Sequence, residues 1–189
     1  MKYNANYLAP HLVVGFLAGC AHNRPVTSQE RPNSAAAELT PTKADEARFY
    51  QLGRLAKQSV AQGNMDEARA YASELLALLP RFPRNWNYGN AVQDGNLVLG
   101  RIAAQEGRLQ DAKRYLLEAG KSSGSPQMNS FGPNMSLAKD LLERGEREVV
   151  LEYFELCRKF WRLESGRLDQ WSHEARAGKT PDFGANLLY

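Results

Sequence analysis

Three glycines recur in one sequence setting, and that setting constrains the fold more than anything else in the chain. Leu55-Ala56 ends seven residues before Gly63, and Ala68 follows the glycine by five. Leu99-Gly100 ends seven before Gly107, and Ala112 follows by five. Leu137-Ala138 ends seven before Gly145, and Val150 follows by five. A glycine at a fixed place between two stretches of helical character predicts a left-handed backbone step that ends one helix before the next begins. Small residues on both sides predict helices that approach closely. The pattern therefore predicts a helix, a glycine turn and a second helix, written three times.

The rest of the sequence from Lys43 onward agrees. No segment alternates apolar and polar residues with β-branched enrichment, so strands are not expected. Apolar residues instead recur at three and four: Met65, Ala68, Ala72, Leu75 and Leu79 on one helix face, and Val149, Val150, Tyr153, Phe154, Cys157, Phe160 and Trp161 on another. Asn64 is placed to cap the helix after Gly63, with Glu67 three residues on as in a capping box.

These residues resemble the tetratricopeptide repeat (TPR) family, whose pattern has Leu-Gly in the first helix, Gly at the turn, Ala early in the second helix and Pro after it. Leu99, Gly100, Gly107, Ala112 and Ala119 match in the second unit, and Leu55, Gly63, Ala68 and Pro80 match in the first. The third unit keeps Leu137, Ala138 and Gly145 but has Val150 and no closing Pro. The family's first-helix aromatic is missing; Leu52, Asn96 and Asn134 stand there. The resemblance covers residues 49–162 and implies an all-α, right-handed TPR-like array of about three helix-turn-helix units. A helix over about Ser165 to Ala177 would cap it, since an array needs a terminal element over its last apolar face. The tail from Asp182 to Tyr189 is partly apolar and can pack back on the array.

The spacing departs from the family. Gly63 to Gly107 is 44 residues and Gly107 to Gly145 is 38, against a family period of about 34. The surplus lies in two inserts, Arg81 to Val92 and Lys121 to Pro133. Both join a second helix to the next first helix, so both fall along one edge of the array, where insertions often mark a binding side.

The N-terminus carries an address. One Lys, a short apolar run and Leu17-Ala18-Gly19-Cys20 resemble the signal and lipobox of bacterial lipoproteins. That resemblance implies a signal peptide over 1–19, cleavage before Cys20, and palmitate-type acyl chains on Cys20 as a membrane anchor. Ala21 rather than Asp after the Cys implies sorting to the periplasmic face of the outer membrane in a Gram-negative cell. Residues 20–42 hold Pro25, Pro32 and Pro41 among small polar residues, the composition of a flexible tether. The folded domain is then 43–189. A cytosolic array with a misread N-terminus is the alternative.

Composition excludes several functions. A net charge of +3 on 189 residues gives no electrostatic case for nucleic acid. Two Cys and three His fit no recognised metal spacing, so no metal and no cofactor is expected. Cys157 falls on an apolar helix face and reads as core, and His173 reads as a surface residue, so no catalytic set is expected. Glu143, Glu146, Glu148, Glu152 and Glu155 alternate with Arg144, Arg147, Arg158 and Lys159, the pattern of a solvated face, with Glu155 to Lys159 at ion-pair spacing.

Two groups remain as candidate sites. Lys57, Arg101 and Lys139 hold equivalent places in the three first helices. The family resemblance puts those helices along a concave groove, where a column of cations, with Asn96 and Asn134 beside it, would favour an acidic or C-terminal carboxylate on a peptide. The inserts carry Asn85, Trp86, Asn87, Tyr88, Asn90, Asn129 and Phe131. Aromatic faces with amides suit a sugar or peptide; alternatively the amides satisfy turns while Trp86 and Tyr88 plug the gap between units. The expectation is a non-catalytic scaffold holding a protein or peptide partner at the envelope. The rival is a cell-wall glycan or small-ligand module using the edge formed by Trp86, Asn87, Tyr88 and Asn90.

Overall fold

A computed structural model describes residues 40–187. The expectations placed on the signal, on Cys20 and on most of the tether lie outside the described residues. Among those residues the chain is all-α, with eight α-helices and no strand. In chain order they are α1 (Lys43–Ala61), α2 (Met65–Leu78), α3 (Tyr88–Gln105), α4 (Leu109–Gly120), α5 (Pro126–Phe131), α6 (Ser136–Leu142), α7 (Arg147–Cys157) and α8 (Arg167–Arg176).

The three glycine turns are alike atom for atom. Gly63, Gly107 and Gly145 have φ of 78°, 76° and 80°. After each, the next N–H reaches back to a carbonyl five residues earlier: Asn64 to Ser59 at 2.8 Å, Arg108 to Ala103 at 2.8 Å and Glu146 to Leu141 at 3.0 Å. This closes the helix with a six-to-one bond that needs a left-handed residue inside it. The same bond ends α8, from Lys179 to Glu174 at 3.0 Å, around Gly178 with φ of 81°.

The paired helices pack as those short turns require. α1 packs on α2, α3 on α4 and α6 on α7, while α1, α3 and α6 neighbour one another in sequence order. The small residues expected at the crossings are buried: Ala56, Ala68, Ala112 and Ala138 have no exposed surface. α8 lies on α7, where Trp171 closes over Phe154 and Trp161. Cys157 sits in this core with no exposed surface, and burial pushes its thiol pKa well up, which keeps it protonated and unreactive.

Three local expectations need correction. The side chain of Asn64 caps nothing, because its backbone already serves as the last step of the α1 turn and its ψ is 71°, not extended. Glu67 turns instead toward the Ser59 hydroxyl at 3.4 Å. Glu155 pairs with Arg158 at 3.0 Å rather than with Lys159, because Arg158 also reaches Asp169 on α8.

The capping box that does form is at the start of α1. The Thr42 hydroxyl accepts from the Asp45 N–H at 3.1 Å, and the Asp45 carboxylate accepts from the Thr42 N–H at 2.8 Å. Arg81 adds a two-pronged pair to the same carboxylate at 3.0 and 2.7 Å. The Thr42 backbone bond, then the Thr42 hydroxyl and Arg81, hold Asp45 down at a pKa of about 2. The folded pKa lies below the unfolded value of about 3.9, so this stabilisation is present above that value and lost as pH falls through about 2. The thermal midpoint of Asp45→Asn should therefore lie below the parent's at neutral pH, with the gap closing between about pH 4 and pH 2. A gap that stays constant across that range would contradict the assignment.

Candidate functional site

The expected column of cations is present as a set of bridges. Lys57 Nζ meets Asp94 Oδ2 at 2.9 Å, from α1 to α3. Arg101 Nε meets Asp140 Oδ2 at 2.9 Å, from α3 to α6. Lys139 of α6 pairs with Glu143, the residue that follows that helix, at 2.5 Å. Each of the first two cations thus ties its helix to the next first helix and has its charge answered there. The second helices reach the turn of the next unit: Arg69 of α2 pairs with Glu106 at the end of α3, and Lys113 of α4 with Glu146 before α7 at 2.9 Å. Of the two amides beside the column, Asn96 is buried and donates to its own helix at the Val92 carbonyl, 2.8 Å away. Asn134 receives the Tyr153 hydroxyl on its carbonyl at 3.1 Å, and its N–H donates to Gln93 at 3.2 Å.

The sequence treats the groove and the insert edge as separate candidates; the structure joins them. A cleft of about 460 Å³ opens where α1, the first turns of α3, the second insert and the C-terminal tail meet. Lys57 and Asn134 line it from the groove set, and Trp86, Asn87 and Asn90 from the insert set. Arg101, Lys139, Asn96 and Tyr88 do not. Tyr88 is half-buried at the start of α3.

Two rings stand open at this cleft, one from each insert. Trp86 is 54% exposed and Phe131 75% exposed. Trp86 stacks on Tyr50 of α1 with centroids 5.7 Å apart, so the Trp86 ring is backed on one face only. A chain of amides stiffens the wall between the inserts. Asn90 donates to Asn87 at 2.9 Å and accepts from the Ser125 hydroxyl at 2.6 Å. Asp94 lies deeper, with its side chain 20% exposed. Burial raises its pKa, and the Lys57 ammonium works against that rise. It is the sole acid among the described residues that line the cleft.

The inserts are fastened by backbone contact and by the tail. Ser122 Oγ donates to the Gly89 carbonyl at 2.8 Å, and the Gly124 N–H donates to the same hydroxyl at 3.0 Å. The tail, whose short 3-10 turn spans Gly184–Leu187, is stitched to the second insert by Asn186. Its amide donates to the Phe131 and Pro133 carbonyls at 3.0 and 2.9 Å, and its own carbonyl accepts from the Met135 N–H at 2.7 Å. Phe131, Ala185 and Asn186 also line a second cleft of about 480 Å³ with Arg167 and Trp171. Phe131 therefore stands between two concave surfaces.

Asp94, Gln127 and Asn186 line the first cleft without being singled out as groove or insert residues from sequence. Asp94 carried a signal, as the lone acid in the run from Ala91 to Ala104. Asn186 carried a weaker one, as an amide inside an apolar tail.

Among the described residues no group of three or more His, Cys, Asp or Glu can hold a metal ion, and no helix is long and apolar enough to cross a membrane. His173 lies exposed on α8. No family model matches the sequence, no curated protein is significantly similar to it, and no solved structure matches it.

Proposed function

We propose that this chain is a lipid-anchored, non-catalytic binding protein of the bacterial cell envelope. In this reading it is a right-handed TPR-like array, held off the membrane by the tether that follows Cys20. Its contact is made in the cleft between α1, α3 and the two inserts. The observation that carries the binding half is the pair of exposed rings, Trp86 and Phe131, brought to one concave surface from inserts about 45 residues apart by sequence. Exposed rings lose contact with water only when something covers them, and a single solvent-facing cleft with rings and convergent polar groups is the arrangement that ligand sites use.

The array half is supported by three turns with one hydrogen-bond pattern and by ion pairs repeated between successive units. Those pairs also move the reading away from the carboxylate-binding column, since Lys57 and Arg101 are already met by Asp94 and Asp140. The address half is supported by the lipobox and the tether composition. It is tested by feeding a bacterial host a labelled fatty acid. The parent chain should carry the label and Cys20→Ala should not; an unlabelled parent would remove the anchor from the account. The binding half is tested by crosslinking from the rim of the cleft, at position 131.

A further inference from the structure

We propose that the cleft takes a neutral saccharide, an inference that rests on the reading of this cleft as the contact site. Its chemistry favours that class on three counts.

The apolar elements are flat and open. The free face of Trp86, backed by Tyr50 at 5.7 Å, and the Phe131 ring, 75% exposed, are surfaces to stack on rather than sockets to fill. A pyranose ring presents a flat face of C–H groups that suits such a platform. A peptide anchor instead needs a deep, desolvated pocket for a side chain.

The polar elements are planar groups with spare capacity. The Asn87 carbonyl oxygen is used by Asn90 and the Gln127 oxygen faces the same donor at 3.5 Å, which leaves the amino ends of both amides for a ligand. Asp94 accepts from Lys57 through Oδ2, and no hydrogen bond engages Oδ1 among the described residues. A vicinal pair of sugar hydroxyls both donates and accepts, so it can use an amide donor and a carboxylate acceptor together.

The ionic groups are engaged. Among the described residues the lining holds two cations and one acid: Lys57 pairs with Asp94, and Arg54 donates to Gln58 at 2.8 Å. A charged ligand would have to compete with one of these partners, while a neutral polyol needs only hydrogen bonds. The volume of about 460 Å³ lies in the range of small-ligand sites.

The test is titration calorimetry on the full chain with tetra-N-acetylchitotetraose, cellotetraose and an acetylated, amidated tetra-alanine peptide. Trp86→Ala and Phe131→Ala change exposed positions and keep the fold, which circular dichroism checks, and Arg114→Ala on α4 is the control. We expect saturable heat with at least one tetrasaccharide, weakened at least about tenfold by each ring variant and unchanged by Arg114→Ala. Absence of heat with both sugars overturns the inference, as does sugar binding that both ring variants leave intact. Heat with the peptide alone overturns the saccharide and leaves the cleft as a contact site. Failure of crosslinking from position 131 together with absent heat for every probe removes the contact site itself.

Discussion

Gly89→Ala should be among the most damaging single substitutions in this protein. A Cβ on Gly89 would lie 1.9 Å from the Gly124 carbonyl oxygen and 2.5 Å from its carbon. The obstacle is backbone, so no side chain can rotate away. Gly124 is itself crowded, since a Cβ added there would lie 2.6 Å from the Cβ of Phe160. Relief requires pulling the start of α3 away from the second insert, which breaks the Ser122 bridge and opens the cleft wall. The expected loss is about 3 kcal/mol or more, at the upper end of what overpacking costs. Gly63→Ala is the comparison. That site is open, with nothing within 4 Å of an added Cβ, but its φ is 78°. The cost there is conformational only, about 1–2 kcal/mol. Urea unfolding followed by circular dichroism should rank the two in that order. Equal or reversed losses would contradict the close approach of the inserts.

Phe183→Ala should cost about 3–5 kcal/mol, the usual toll of removing a fully packed ring. Phe183 is 2% exposed and meets Trp171 edge-on at 5.0 Å and Phe154 at 6.1 Å. It plugs the tail into the core that α7 and α8 share. The loss should also loosen Asn186, and with it the two carbonyls of the second insert that Asn186 satisfies. Asn186→Ala alone strands those carbonyls and should cost about 1–3 kcal/mol. A Phe183→Ala variant within about 1 kcal/mol of the parent would mean that the tail does not pack as described.

The contrast between these residues and the repeat explains what was legible in the sequence. A glycine turn is a local event: six residues decide it, and all three were readable from Gly63, Gly107 and Gly145 with their neighbours. Burial of Ala56 and Ala112 followed from their place around the glycine turns, and that of Cys157 from helical periodicity, for the same reason. The α8 helix was also expected, though it starts at Arg167, because Ser165 and Gly166 both adopt positive φ. Pairings across long stretches were not readable. Lys57 and Asp94 are 37 residues apart, Arg101 and Asp140 39, and Asn186 lies 53 and 55 residues from the carbonyls it serves. No local pattern marks such partners, so Lys57 and Arg101 read as cations facing a ligand, whereas each meets an acid of the next first helix. The second insert hid a helical turn, α5, capped by the Ser125 hydroxyl on the Met128 N–H at 3.1 Å. The Ser-Pro pair that starts it is readable as a helix start, with Pro at the first helical position, but the repeat pattern marks the segment only as an insert. The cleft that joins groove and insert edge also draws Ala185 and Asn186 from the tail, whose packing rests on Phe183 against Trp171.

The central claim is that the open rings of the inserts mark where this protein touches something else. The direct measurement places a photo-crosslinking residue at position 131, on the rim of both clefts, and separately at position 114, on the exposed side of α4, in the full chain expressed in living bacteria. Illumination should give a discrete, repeatable adduct from position 131, lost when Trp86→Ala is added, and none from position 114. Equal adducts from both positions, or none from position 131, would contradict the claim.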